Sequence, residues 1–109
     1  MANTFKLKTK ANVGVTTVGI YTAPAATTTV VIGITMANTS GSGVNVGVGI
    51  TRAGTTEDVK LLKNAPIPQG SSLEFMAGNK IVLEETDTVV VDSDTNNSVD
   101  AALTIMEIT

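Results

Sequence analysis

From Val44 to Thr51 the chain alternates without a fault, with Val44, Val46, Val48 and Ile50 on one side and Asn45, Gly47, Gly49 and Thr51 on the other. A period of two sends successive side chains to opposite faces of an extended strand, and a helix does not reproduce it. The same rhythm returns along most of the sequence. Phe5, Leu7 and Thr9 oppose Lys6, Lys8 and Lys10, while Val18 and Ile20 alternate with Thr17, Gly19 and Tyr21. Val30, Ile32, Ile34 and Met36 share one face, and near the end Val99, Ala101, Leu103, Ile105 and Glu107 share another. Shorter extended pieces are read at residues 59–62, 73–75, 81–83 and 89–91. No segment offers ten residues of amphipathic helix.

The breaks between these pieces are made of turn residues. They fall at Asn12 to Gly14, Ala23–Pro24–Ala25, Asn38 to Gly43, Asn64 to Gly70, Gly78–Asn79, Glu85–Thr86–Asp87 and Asp92 to Ser98. Pro66 and Pro68 have no N–H to give an interior ladder, so the stretch that holds them is an edge or a connection. Turn signals about every 8–12 residues predict an all-β chain, an antiparallel β-sandwich of jelly-roll or immunoglobulin-like type with about eight short strands. An open barrel has the same rhythm. The length of 109 residues fits a single domain over residues 1–109, with residues 1–11 as an N-terminal arm or edge strand.

Composition then removes whole classes of chemistry. Phe5, Tyr21 and Phe75 are the only aromatics, so the core is expected to be aliphatic, with β-branched Val, Ile and Thr suited to a pleated surface. There is no Cys and no His, which excludes disulfides, zinc sites of the usual kinds, thiol nucleophiles and imidazole bases. No run of about 18 apolar residues is present, so no membrane-spanning helix is expected and no membrane partner. Met1 to Lys10 mixes lysines with apolar residues and is not expected to act as a secretory signal. The net charge of −3 is uneven: Lys6, Lys8, Lys10, Arg52 and Lys60 face only Glu57 and Asp58 in the first half, whereas the second half is acidic. An acidic chain with a single Arg is a poor nucleic-acid binder, and that partner class is set aside.

Three constellations test for chemistry and give little. Asp92, Asp94, Asn96, Ser98 and Asp100 space oxygens like a calcium loop, but Asn97 stands where the loop needs Gly and Leu103 where it needs Glu. A solvated acidic hairpin loop is the expectation there. Glu84, Glu85 and Asp87 offer a carboxylate pair without the aromatic platforms that sugar hydrolysis normally uses. Ser71 and Ser72 have no His to activate them. No enzyme activity and no cofactor is expected.

Two features bear on association instead. Gly19, Gly33, Gly47 and Gly49 lie inside strands, where Gly marks either a bulge or a close approach by another backbone. A face bare of side chains would admit a neighbouring subunit. Lys6, Lys8 and Lys10 project from one face of the first strand, either guarding an edge or docking on an acidic surface of the same chain or the next. The residues named for a subunit interface are therefore Lys6, Lys8, Lys10, Gly33, Gly47 and Gly49.

The stretch Tyr21–Thr22–Ala23–Pro24–Ala25, followed by Thr27 to Ile34 and Ala37–Asn38–Thr39, resembles small virion proteins of tailed bacteriophages. So do the run from Leu62 to Leu73, the segment Lys80 to Glu84, and the ending Val99 to Ile108. The resemblance spans roughly residues 20 to 108, one of layout and turn residues without a catalytic or ligand motif. It implies a β-sandwich structural protein located in the virion, at the capsid surface, neck or tail, whose partners are copies of itself and other virion proteins. The alternative is a carbohydrate- or receptor-binding sandwich, and a third reading is a calcium-stabilised extracellular module.

Overall fold

A computed structural model describes residues 3–52, 57–75 and 80–109. They form nine strands: β1 (Asn3–Val13), β2 (Val18–Thr22), β3 (Thr28–Asn38), β4 (Val44–Arg52), β5 (Glu57–Ile67), β6 (Ser72–Phe75), β7 (Ile81–Leu83), β8 (Thr88–Ser93) and β9 (Val99–Ile108). One sheet has the order β1-β9-β3-β6, with β7 also paired to β3; the other has the order β2-β8-β4-β5. Every pairing is antiparallel. The short β6 and β7 lie along opposite halves of β3, at residues 34–37 and 29–31, and act together as one interrupted strand. Counted so, eight strands shuttle between two sheets, which is the jelly roll. The expected turn at Gly78–Asn79 lies outside the described residues.

Alternation decides what the two sheets enclose. On β9, Val99, Ala101, Leu103, Ile105 and Glu107 are all buried, and on β4 Val44, Val46, Val48 and Ile50 meet them from the other side. Met36, Leu83 and Ile67 are also sealed from solvent. Each such side chain contributes roughly 1.5–3 kcal/mol through removal from water. The core is aliphatic, as the composition required.

Three elements depart from the sequence reading. The face expected to hold Val30, Ile32, Ile34 and Met36 is split, because the bulge between Val31 and Gly33 on β3 turns Val31, Ile34 and Met36 into the core and leaves Val30 and Ile32 on the outer side. The piece expected to end at Leu62 runs on to Ile67 as β5, through Pro66. It remains the outer strand of its sheet, which is where a proline in a strand is tolerated. Asn64, at a φ of 55°, supplies the left-handed kink that carries the strand past its register slip. On β1 the apolar side faces outward: Phe5 is 68% and Leu7 66% exposed, while Lys6, Lys8 and Lys10 pair with the core positions Ile105, Leu103 and Ala101 of β9. Only the far end, at Val13, is buried. Periodicity identifies two faces of a strand without saying which one the opposite sheet covers.

Candidate subunit interface

β1 is an edge strand whose sole partner among the described residues is β9. Its pairing is regular from Asn3↔Ile108 to Lys10↔Ala101, eight consecutive positions without a slip. The other edges are blunted. β5 carries two register slips, Pro66, and the charged Lys60 and Lys63; β2 is five residues long with a slip of its own. β6 and β7 have four and three residues. Long flat edges template pairing with other chains, and bulges, prolines and charges suppress it. The suppression is weakest on β1.

Of the three lysines on β1, Lys6 is spent on its own chain. Its Nζ lies 2.9 Å from Glu107 Oε1. The other carboxylate oxygen, Oε2, accepts a 2.6 Å hydrogen bond from Tyr21 Oη, which also sits 2.8 Å from Thr29 Oγ1. Thr29 and Glu107 are register partners in one sheet, whereas Tyr21 comes from the other. A slip between Gly19 and Tyr21 accompanies the burial of the ring. The result is a polar clasp across one end of the sandwich. Tyr21 donation, then Lys6, holds the Glu107 carboxyl below its ordinary range. Burial, then the neighbouring carboxylate, pushes the Tyr21 phenol up to about 12. Lys8 and Lys10 make no ion pair among the described residues.

The outer face of the same sheet carries an apolar row. Phe5 pairs with Met106, Met106 with Val30, and Val30 with Val82. Directly opposed residues of antiparallel strands share a face, so these four side chains form one row from edge to edge. Phe5 and Val82, the two ends, are 68% and 59% exposed. The next row holds Leu7, Thr104 and Gly33. An added Cβ at Gly33 would meet only the Phe75 carbonyl, at 3.8 Å. This glycine leaves a shallow depression beside Thr35, Glu74 and Thr104.

Gly47 and Gly49 have a different setting. Both lie on the outer face of the second sheet and are buried. A Cβ at Gly49 would stand 2.7 Å from the Val59 carbonyl, and one at Gly47 would stand 2.5 Å from Asp92 Oδ1 and 3.3 Å from the Leu62 carbonyl. The bulged backbone of β5 therefore covers them from within the chain. All four strand glycines named above adjoin a register slip: Gly19 in β2–β8, Gly33 in β3–β9, Gly47 and Gly49 in β4–β5. The bare face expected at Gly47 and Gly49 is filled, and the bulge reading accounts for their identity. The six named positions are not brought together: Gly33 and the lysines belong to one sheet, Gly47 and Gly49 to the other.

The acidic clusters are occupied with structure. Asp87 Oδ2 accepts the Glu84 N–H at 3.0 Å, and Oδ1 accepts from Arg52 Nε at 3.2 Å. Arg52 also bonds Glu84, and Glu85 accepts the Ala26 N–H at 2.7 Å. In the loop after β8, Asp92 accepts from Thr17, Asp94 from the Asn45 N–H, and Asp100 from the Asn12 N–H. These carboxylates serve separate partners, and no group of three potential metal ligands occurs among the described residues.

No protein-family model matches this sequence. No curated protein matches it either. Solved structures do, through their fold. A chain of the Bacillus endospore appendages, a family of disulfide-linked pili, superposes with a TM-score of 0.57 at 15% identity, over 99% of this chain and 87% of that one. A chain of the cyanophage Pam1 capsid asymmetric unit gives 0.57 at 17% identity, over 95% and 85%. A chain of infectious bursal disease virus, Gx strain, gives 0.56 at 15% identity, over 96% of this chain and 32% of the viral one. The shared property is the sandwich. With no cysteine, this chain lacks the means to form the disulfide links of the pilus.

Proposed function

We propose that this chain is a structural protein of a bacteriophage virion, present in many copies and working through its surfaces rather than through catalysis. The observation that carries the reading is a whole-chain jelly roll, matched over nearly its full length by a phage capsid chain, joined to a surface that leaves large apolar groups in water. Among the described residues, Phe5 and Leu7 at one edge and Val82 at the other are exposed on one face of the sheet, and Met106 and Val30 complete the row between Phe5 and Val82. Apolar exposure of this kind marks contact surfaces. The likeness to virion proteins in the turn segments supports the same assignment. The capsid is favoured over neck or tail by the cyanophage chain.

The buried clasp and the filled glycine face suit this role. They make the protomer rigid on its own, so that association consumes little ordering entropy. The test is quantitative mass spectrometry of purified particles that encode the chain. The expected result is a copy number in the tens or hundreds, in fixed ratio to the main shell protein. Absence of the chain from washed particles contradicts the proposal.

A further inference from the structure

We infer that copies of this chain join edge to edge, β1 of one protomer adding to the β6–β7 edge of the next, so that one sheet continues through successive subunits. This deepens the virion reading and rests on it for the biological setting, though not for the contact itself. The occupant of the β1 edge is a second copy, and four observations select which part of it.

Strand direction comes first. β1, β9, β3 and β7 alternate in direction along the sheet. A second copy set beside the first in the same orientation therefore presents β7 antiparallel to β1, the favourable sense for a new ladder. The apolar row comes next. Phe5 and Val82 end the same row at opposite edges. Side-by-side placement without a shift along the strands brings Phe5 of one copy against the partner's Val82. Each of these exposed groups covers the other, and the row becomes continuous.

Charge removes the obvious competitor. Two β1 strands paired about a two-fold axis would set Lys6, Lys8 and Lys10 of one copy opposite the lysines of the other, and like charges directly opposed are destabilising. No acid precedes Glu57 in the sequence, and Glu107 engages Lys6 alone, so Lys8 and Lys10 remain to repel their counterparts. The far edge carries no matching run of lysines: Lys80 stands there with Glu74, which lies on the other face from the β1 lysines, and with Glu84 and Glu85, which Arg52 and the Ala26 N–H engage. Across the joint Lys8 stands in the row of the neighbour's Phe75, which its stem covers while the ammonium group stays in water, and Lys6 keeps its Glu107 partner. Finally, β6 and β7 are short but pair with β3 without a slip, whereas slips and Pro66 break the ladders of β5 and β2. A contact between two different edges is heterologous, and it closes into a ring or extends into a filament.

Complementation of two variants tests the contact. Phe5→Asp/Leu7→Asp spoils the β1 edge and Val82→Asp the other edge. All three positions are exposed, so both variants should fold, which circular dichroism melts check. Sedimentation velocity over rising concentration is expected to show wild-type protein growing beyond dimers. Each variant alone should remain monomeric, its self-association weakened about tenfold or more. An equimolar mixture should form a one-to-one dimer and nothing larger, because one intact edge of each kind remains. A wild-type chain that stays monomeric throughout overturns the inference, as does a Val82→Asp chain that associates like wild type, or a mixture that fails to dimerise. Particle incorporation separates the two claims. Val82→Asp found in virions at the wild-type copy number overturns the edge contact and leaves the virion assignment standing.

Discussion

Tyr21 and Glu107, 86 positions apart in sequence, meet through a 2.6 Å hydrogen bond from the phenol to the buried carboxylate. The pair ties an edge strand of one sheet to the last strand of the other. A carboxylate on a core face survives only if its oxygens are satisfied. Here Tyr21 takes one and Lys6 the other. Tyr21→Phe removes the phenol hydrogen bond without opening a cavity. It should destabilise the protomer by about 1–3 kcal/mol, the cost of stranding a buried polar group. Urea unfolding measures this, and a midpoint equal to wild type would show that the clasp contributes nothing.

Acid should loosen the same clasp. The Glu107 carboxyl is held below its ordinary range in the fold by Tyr21 and then by Lys6. A depressed acid lends stability above its unfolded pKa, about 4.3 for Glu, and that stability fades as pH falls through the lower folded value. Thermal melts should therefore lose midpoint below about pH 4.3, and Glu107→Gln should flatten that part of the profile. An identical acid limb in the variant would assign the loss elsewhere.

Alkali acts through the other partner. The Tyr21 phenol is raised to about 12, chiefly by burial. A raised pKa means stability that is complete below the unfolded value of about 10 and is lost as pH climbs toward the folded one. Ultraviolet titration of this lone tyrosine should show ionisation near pH 12 with unfolding in step. Ionisation near pH 10 while the fold persists would contradict the buried geometry.

Gly49 gives a backbone test. An alanine Cβ would lie 2.7 Å from the Val59 carbonyl, and a carbonyl in a paired strand has little room to retreat. Gly49→Ala should cost about 1–3 kcal/mol, the usual penalty of overpacking. Gly33→Ala meets nothing closer than 3.8 Å and should change protomer stability by less than about 0.5 kcal/mol. Equal effects at the two sites would sink the distinction between a covered glycine and an open one.

Much of this was legible in the order of residues. The stripe on β9 correctly placed Glu107 beside Leu103 and Ile105, because the extra residue of each slip along β9 falls on its partner strand. The alternation of β4 held for the same reason. By contrast, β3 carries a bulge of its own, and its expected stripe from Val30 to Met36 is split. The apolar side of β1 was harder to place, since an edge strand that overhangs the opposite sheet has no side forced inward. β5 continued past Asn64 because an asparagine in the left-handed region bulges a strand without ending it. The contact of Tyr21 with Glu107 depends on a slip at Gly19 and on the meeting of two sheets, neither of which leaves a local signal. The glycines carried a true signal with two meanings. The structure resolves them by showing what stands over each one.

The most direct measurement is amide hydrogen exchange on β1, compared between dilute and concentrated protein. In the lone protomer, alternate N–H groups from Asn3 to Lys10 point away from β9 and exchange freely. Association through this edge should slow those amides, and those of β7, as concentration rises, with β5 unchanged. Exchange on β1 that is indifferent to concentration, or protection that builds on β5 instead, would contradict the account.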